Sequence, residues 1–323
     1  KGLLYAGTET GMYISFDDGR KWKPFQLNLP IVPITDLAVK DNNLIVATQG
    51  RSLWILDDLS VLHQLEESKS NASAILFKPK DSYRTKGGAR STPSETEGQN
   101  HPSGVVTHFY LKDFAEKDSV ALTYTSMAGD TLATYSTYAE DADNKLKVEK
   151  GGNTHVWDTR GKGAERLKGM ILWWANLNGP KAVPGSYKVH LNTRGETQTQ
   201  TFKILPDPRA EVSVADMQKQ HEFITDVNNT VDRAHQSIKK IRNVNEQLDA
   251  FMKQYGKDER TEELVERAKK MKEGFGEIEK ALYQTQNRSN QDPLNFPIRL
   301  TNKLAHLNSL VGLDDFPPTE QDI

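Results

Sequence analysis

Apolar and polar positions alternate along the first part of the chain and change to a three-to-four spacing towards its end. The segments Ile34 to Val39, Leu44 to Thr48, Ser52 to Leu56 and Val61 to Leu65 are short β-type runs bounded by turn residues, and they predict four strands of one small sheet. A second set, Val105 to Leu111, Ser119 to Thr125, Thr131 to Tyr138, Met170 to Ala175, Gly185 to Thr193 and Gln198 to Leu205, predicts an antiparallel β-sandwich of the Ig or fibronectin kind. Gly185 to Leu191 alternates cleanly after Pro184, as expected where one strand face is buried.

From Ser213 the period becomes helical. Ser213 and Asp216 form a capping-box-like start, and Ile224, Val227, Val231, Ala234, Ile238, Ile241, Leu248 and Met252 follow on one face. This predicts a helix of roughly 40 residues, about 60 Å long. Leu264, Ala268, Met271, Phe275, Ile278 and Leu282 continue the period after a break at Tyr255 to Asp258, giving an antiparallel helical hairpin. A shorter third helix from about Pro297 to Val311 would lay Leu300, Leu304, Leu307 and Leu310 on its groove. Asn245 falls at a seam position, where it either fixes register or faces solvent.

These patterns divide the chain into residues 1–65 (small sheets), 66–104 (a polar crossing loop), 105–209 (sandwich) and 210–323 (helices), a multidomain β-plus-α chain. The crossing loop holds one short run, Ala74 to Phe77, and carries Tyr83, Arg84 and His101, read as part of a solvated linker in preference to groups that reach a neighbouring site.

Composition narrows the partners. The 323 residues carry a formal charge of −2, without the basic excess of a nucleic-acid binder, and charge on the helical hairpin is balanced. No apolar run near the length of a membrane span occurs. The absence of cysteine excludes disulfides, thiolate metal sites and cysteine nucleophiles, and fits either a bacterial cytoplasm or a periplasm.

Ser15-Phe16-Asp17-Asp18-Gly19-Arg20-Lys21-Trp22 fits SxDxGxxW, the Asp-box of β-propeller hairpins. Ser15 and Asp17 suit hydrogen bonds to amides across a tight turn, Gly19 a positive φ, and Trp22 packing under the hairpin. The surrounding pattern recurs. Tyr5 to Thr8, Gly11 to Ile14 and Asp17-Asp18 match Ile45 to Thr48, Gly50 with Leu53 to Ile55, and Asp57-Asp58, with Gly11 and Gly50 39 positions apart. That is close to the repeat of about 40–45 residues of a four-stranded propeller blade. The first copy lacks its opening strand, so the expectation is a C-terminal piece of a longer protein.

The order Asn153, Trp157-Asp158-x-Arg160, Gly163-Ala164, Gly179-Pro180, Pro184-Gly185-x-Tyr187 and Asp207-Pro208-Arg209 resembles the C-terminal region of large bacterial BNR/Asp-box proteins. Ala47 to Asp58 is similar to the last blade of that family and Leu294 to Leu300 to its tail. The family is commonly labelled glycosyl hydrolase, and its propellers are similar to those of sortilin-type receptors. The resemblance implies partial propeller blades followed by an Ig-like domain, and a periplasmic or extracellular location is favoured.

Candidate chemistry is sparse. Trp157 is expected as a core plug, Asp158 and Arg160 as a local ion pair, and Tyr187 as part of the same sandwich motif. Trp173 and Trp174, adjacent in one expected strand, point to opposite faces. The outward ring is a candidate carbohydrate platform with Asn176 and Asn178 beside it, or an interdomain contact. Asp141 and Asp143 offer oxygen ligands for calcium but lack the glycine and distal glutamate of an EF-hand. The acidic pairs at the blade turns are read as structural, no catalytic residue is assigned, and no cofactor is implied.

Three classes follow. The first is a non-catalytic module that braces upstream propeller blades and mediates assembly or protein contacts; the second, a carbohydrate-binding accessory region of a glycoside hydrolase; the third, a sortilin-like peptide- or protein-binding protein. Sheet faces left uncovered in residues 1–65 imply self-association.

Overall fold

The computed structural model describes residues 2–65, 72–85, 100–115 and 117–323. The chain forms two compact units, Lys1–Asp158 with Gly185–Leu205, and Thr159–Pro184 with Pro206–Ile323.

The first unit opens with two antiparallel three-stranded sheets. One is β1 (Leu4–Thr8), β2 (Gly11–Ser15) and β3 (Lys23–Pro24); the other is β4 (Ile34–Lys40), β5 (Asn43–Thr48) and β6 (Leu53–Leu56). Asp41 and Asn42, at φ 51° and 62°, make the two-residue turn between β4 and β5, a left-handed pair that suits the twist of a hairpin. The sheets pack through Met12, Leu44, Val46 and Leu59, with Tyr5, Phe25, Leu37 and Trp54 around them. A Cβ on Gly7 would stand 2.5 Å from Ile34 Cγ2, so glycine is what admits this approach.

The strand expected at Val61 to Leu65 is instead a helix, α1 (Ser60–Gln64). Leu59 and Leu62 are three apart and pack on the same apolar cluster, a helical spacing inside a run that also reads as alternating. Asp58 accepts the Ser60 amide at 2.9 Å and turns the chain into it.

The rest of the unit is two further sheets. β11 (Thr131–Ser136), β10 (Val120–Ser126), β13 (Gly185–Thr193), β14 (Glu196–Pro206) and β8 (Ser82–Arg84) form one; β12 (Gly151–Trp157), β9 (Val105–Leu111) and β7 (Ala74–Leu76) form the other. Trp157 stacks on Tyr124 across the layers with centroids 4.6 Å apart, and Thr107 Oγ1 meets the Tyr124 hydroxyl at 2.8 Å. Phe109, Leu122, Val189, Leu191, Phe202 and Ile204 complete this core. Gln198 takes the Leu76 amide and donates to Ala74 O, both at 2.8 Å, so a side-chain amide joins β14 to β7.

Three expectations change here. Part of the crossing loop is strand β8, where Arg84 is buried; residues 66–71 and 86–99 of that loop lie outside the described residues. Gly151 to Arg160, whose pattern predicts a strand one hairpin before Gly185 to Leu191, instead supplies β12, which pairs with β9. Met170 to Ala175 is not a strand, and Thr159–Pro184 assorts with the helices, because Ala164, Leu167, Met170 and Leu177 bury themselves with Val231, Ile238 and Ala305.

The second unit is built on α2 (Val214–Tyr255), α3 (Glu262–Leu282) and α4 (Leu300–Val311). Ser213 caps α2, accepting the Asp216 amide at 3.1 Å while its hydroxyl donates to the Asp216 carboxylate at 2.7 Å. Arg242 to Glu279 at 2.7 Å and the Lys272–Asp249 pair fix an antiparallel register for α2 and α3. On α3 the buried residues are Val265 and Ala268, while Leu264, Met271 and Ile278 are exposed. On α4 the buried face is Thr301, Asn302, Ala305, Asn308 and Val311, and Leu300 and Leu310 face out. That face carries amides because the segment it covers presents backbone to it. Asn245 is half-buried, with Oδ1 enclosed and unpartnered among the described residues.

Candidate functional site

The segment Thr159–Pro184 is a loop with a narrow neck. Gly161 N–H reaches Pro180 O at 2.9 Å, Ala182 N–H reaches Thr159 O at 2.7 Å, and Ala164 N–H reaches Leu177 O at 3.0 Å. Arg160 donates to Gly179 O at 3.0 Å. Cβ atoms on Gly163 and Gly179 would lie 2.1 Å from Leu177 O and 1.9 Å from Gly161 O, so the two limbs close only over glycine.

The tip of this loop carries the tryptophans, held by one face of α4. Asn302 accepts the Trp173 amide at 2.7 Å and donates to Trp173 O at 3.0 Å, pairing with the backbone much as a neighbouring strand would. His306 Nδ1 donates to Trp174 O at 2.7 Å. The Ser309 hydroxyl receives the Asn176 amide N–H and its side-chain NH2, both at 2.8 Å. Asn178 O accepts from Asn228 at 2.9 Å and from Asn308 at 3.0 Å, and Asn308 also donates to Asn228 Oδ1 at 2.8 Å.

Trp173 is half-buried and Trp174 is 75 % exposed at φ 49°, a left-handed backbone that is costly for a bulky residue. Their ring centroids are 6.3 Å apart and tilted by 54°. The pair therefore sits in a loop with one ring turned to solvent, where alternation on a strand had been expected. Of the two expected polar neighbours, Asn176 has its amide committed to Ser309 and to the Asn178 N–H, and Asn178 is exposed.

The SxDxGxxW stretch forms a closed turn. Ser15 Oγ donates to Asp17 Oδ1 and accepts the Gly19 amide, each at 2.9 Å, and Asp17 accepts the Lys21 amide at 2.8 Å. Gly19 has φ 84°. The Lys21 amide is the main cause holding the Asp17 carboxyl below its ordinary pKa, with Ser15 adding to it. Trp22 lies against Gly19 but is 42 % exposed, so it flanks the hairpin and does not sit beneath it.

The remaining candidates fall elsewhere. Trp157 is fully buried, and Tyr187 lies edge-on to it at 6.4 Å. Asp158 ends the first unit and Arg160 belongs to the neck of the loop. Asp141 caps a short 3₁₀ turn, accepting the Asp143 amide at 3.1 Å and the Asn144 side chain at 3.2 Å. Among the described residues no group of three His, Asp or Glu side chains is placed to hold a metal ion, and no helix is long and apolar enough to cross a membrane. His155, packed 4.2 Å from Tyr135 with Nε2 unpartnered among the described residues, is pushed down to about 4 by burial.

No family model matches the chain, and no curated protein matches it. Its chemistry is therefore read from geometry. An exposed indole on a strained, well-anchored loop offers a flat apolar face, and His306 holds the backbone of the same residue through Nδ1. The sequence reading missed Asn302, His306, Asn308 and Ser309. The signal was there, since Asn302, His306 and Ser309 recur at helical spacing, four and three residues apart, along one side of α4.

Proposed function

We propose that this chain is a non-catalytic structural and interaction module of an Asp-box propeller protein, in which the first two sheets stack with further sheets of the same kind. The observation that carries this reading is that the β4–β5–β6 sheet has an apolar patch on its outer face as well as on its core face, the outer patch bordered by Asp36 and by Lys40 paired with Asn43. One face packs on the neighbouring sheet through Leu37, Leu44, Val46 and Trp54. The other bears Ala38, Ile45 and Ile55 in one row and Ala47 and Leu53 in the next, with Leu53 68 % and Ile55 61 % exposed. A sheet patterned this way is built to lie between two layers. The turn at Ser15 to Trp22 supports the same reading, since its hydrogen bonds serve the hairpin.

The test is sedimentation velocity over a concentration series. The wild-type chain associates, and Leu53→Lys with Ile55→Lys gives a monomer of unchanged melting temperature. A wild-type chain that stays monomeric at its solubility limit would remove the main support for this reading.

A second reading, a carbohydrate-binding accessory region, is favoured by the exposure of Trp174. It expects saturable binding to a member of a soluble glycan panel that Trp174→Ala abolishes. Trp173→Ala would lower stability as well.

A further inference from the structure

We propose that the open edge of β1 is a seat for an extended partner strand, antiparallel to β1, with apolar side chains at alternate positions and a basic residue at its C-terminal end. This rests on the reading above and gives it a specific contact. The two copies of the repeat supply the template. β1 corresponds to β5 and β2 to β6, but β5 has a second neighbour, β4, whereas β1 pairs with β2 alone among the described residues.

Register shows which groups are left over. Thr8 and Gly11 flank a two-residue loop, so they exchange both hydrogen bonds, and Ala6 with Tyr13 and Leu4 with Ser15 do the same. Tyr5 and Gly7 then turn their amides and carbonyls to the other side. In the second copy the equivalent residues are Ile45 and Ala47, which face Ala38 and Asp36 of β4.

Space lies where that strand would run. A cavity of about 850 Å³ is lined by Leu3 and Tyr5 from β1 and its approach, by Leu37 and Val39 from β4, and by Leu44 and Leu62. Val39 pairs with Leu44, which is buried, yet Val39 is 59 % exposed, as a residue is when the layer above it is one strand short.

Asp17 lines the same cavity and follows Ser15, the partner of Leu4 at the first residue of β1. In the second copy the residue at that end of the opening strand is Lys40. An anionic rim there selects a basic residue at the end of the incoming strand.

The probe is a synthetic peptide with the sequence of residues 33–41, added to the full chain while amide hydrogen exchange is followed by NMR. Saturable binding is expected, with slowed exchange at Tyr5 and Gly7. The Lys40→Glu peptide and the Val39→Lys protein, altered at an exposed site, are each expected to bind about tenfold more weakly. A peptide N-methylated at alternate amides on the pairing edge should not protect Tyr5 and Gly7.

Three results would overturn the proposal. One is no binding, and another is protection confined to β6. The third is protection of Tyr5 and Gly7 that grows with protein concentration in the absence of peptide, which gives the edge to a second copy. Protection at β6 alone would leave the stacking function standing, whereas loss of that function is read separately, from sedimentation of the Leu53 and Ile55 variant.

Discussion

Asn302→Ala is the sharpest single perturbation of the tryptophan loop. Asn302 is 7 % exposed and satisfies both backbone groups of Trp173, at 2.7 and 3.0 Å. Truncation leaves an N–H and a C=O without partners on a half-buried segment, each costing about 1–3 kcal/mol. Partial rehydration at the loop tip argues for the lower half of the sum, about 2–4 kcal/mol. At about 2–4 °C per kcal/mol for a domain of this size, the melting temperature of the helical unit falls by roughly 5–15 °C. Urea unfolding followed by helical circular dichroism and by tryptophan emission reads both the stability and the surroundings of Trp173. Asn302→Asp keeps the acceptor and loses the donor, so its loss should be smaller than that of alanine unless the charge itself is expelled. A loss below about 0.5 kcal/mol for the alanine variant, the range of an ordinary surface substitution, would refute the view that α4 holds this loop through amides.

Other outcomes follow from the same contacts. Gly179→Ala places a methyl 1.9 Å from a backbone oxygen, and chemical denaturation should show a loss of about 3 kcal/mol or more. Ser15→Ala removes the acceptor for Gly19 N–H at the first turn and should cost about 1–2 kcal/mol, read as faster exchange of the Gly19 amide. His155 is held neutral in the folded chain, with a pKa near 4 against 6.5 when unfolded. The unfolded chain therefore binds the extra proton first, and stability is complete above pH 6.5 and falls as the pH drops towards 4. His155→Phe should flatten that part of the stability–pH profile in urea titrations at stepped pH.

Much of the architecture was legible in the sequence because local pattern and burial agree there. The alternation of β9 and β13 lies where one strand face meets a core, and the Ser213 start of α2 and the break after Tyr255 are marked by a capping side chain and by Gly256. The illegible parts share a cause. At Leu59 and Leu62 a short apolar run satisfies both periods, and packing of both leucines on one cluster goes with the helix. At Met170 to Ala175 the apolar residues pack on helices more than 50 positions later in the chain, which no local period reports. On α4 the leucine stripe was a partial guide: Leu304 packs on the core while Leu300 and Leu310 face out, because the packed face also meets backbone and hydrogen-bonds to it. The glycines at 163 and 179 were visible as residues, while their purpose, close passage of two limbs, is a fact of tertiary structure.

The excursion of Thr159–Pro184 also sets an order of events during synthesis. Leu167, Met170 and Leu177 leave the ribosome well before α2 and α4, the elements that bury them. At about 5–20 residues per second, roughly 6–25 s separate Pro184 from the end of α4 at Val311. During that interval the nascent chain carries a greasy, glycine-necked loop with nothing to close on, flanked by strands already able to pair. A ribosome that stalls before Leu300 would hold the chain in that state, which makes this loop a natural point of chaperone engagement and of premature cleavage.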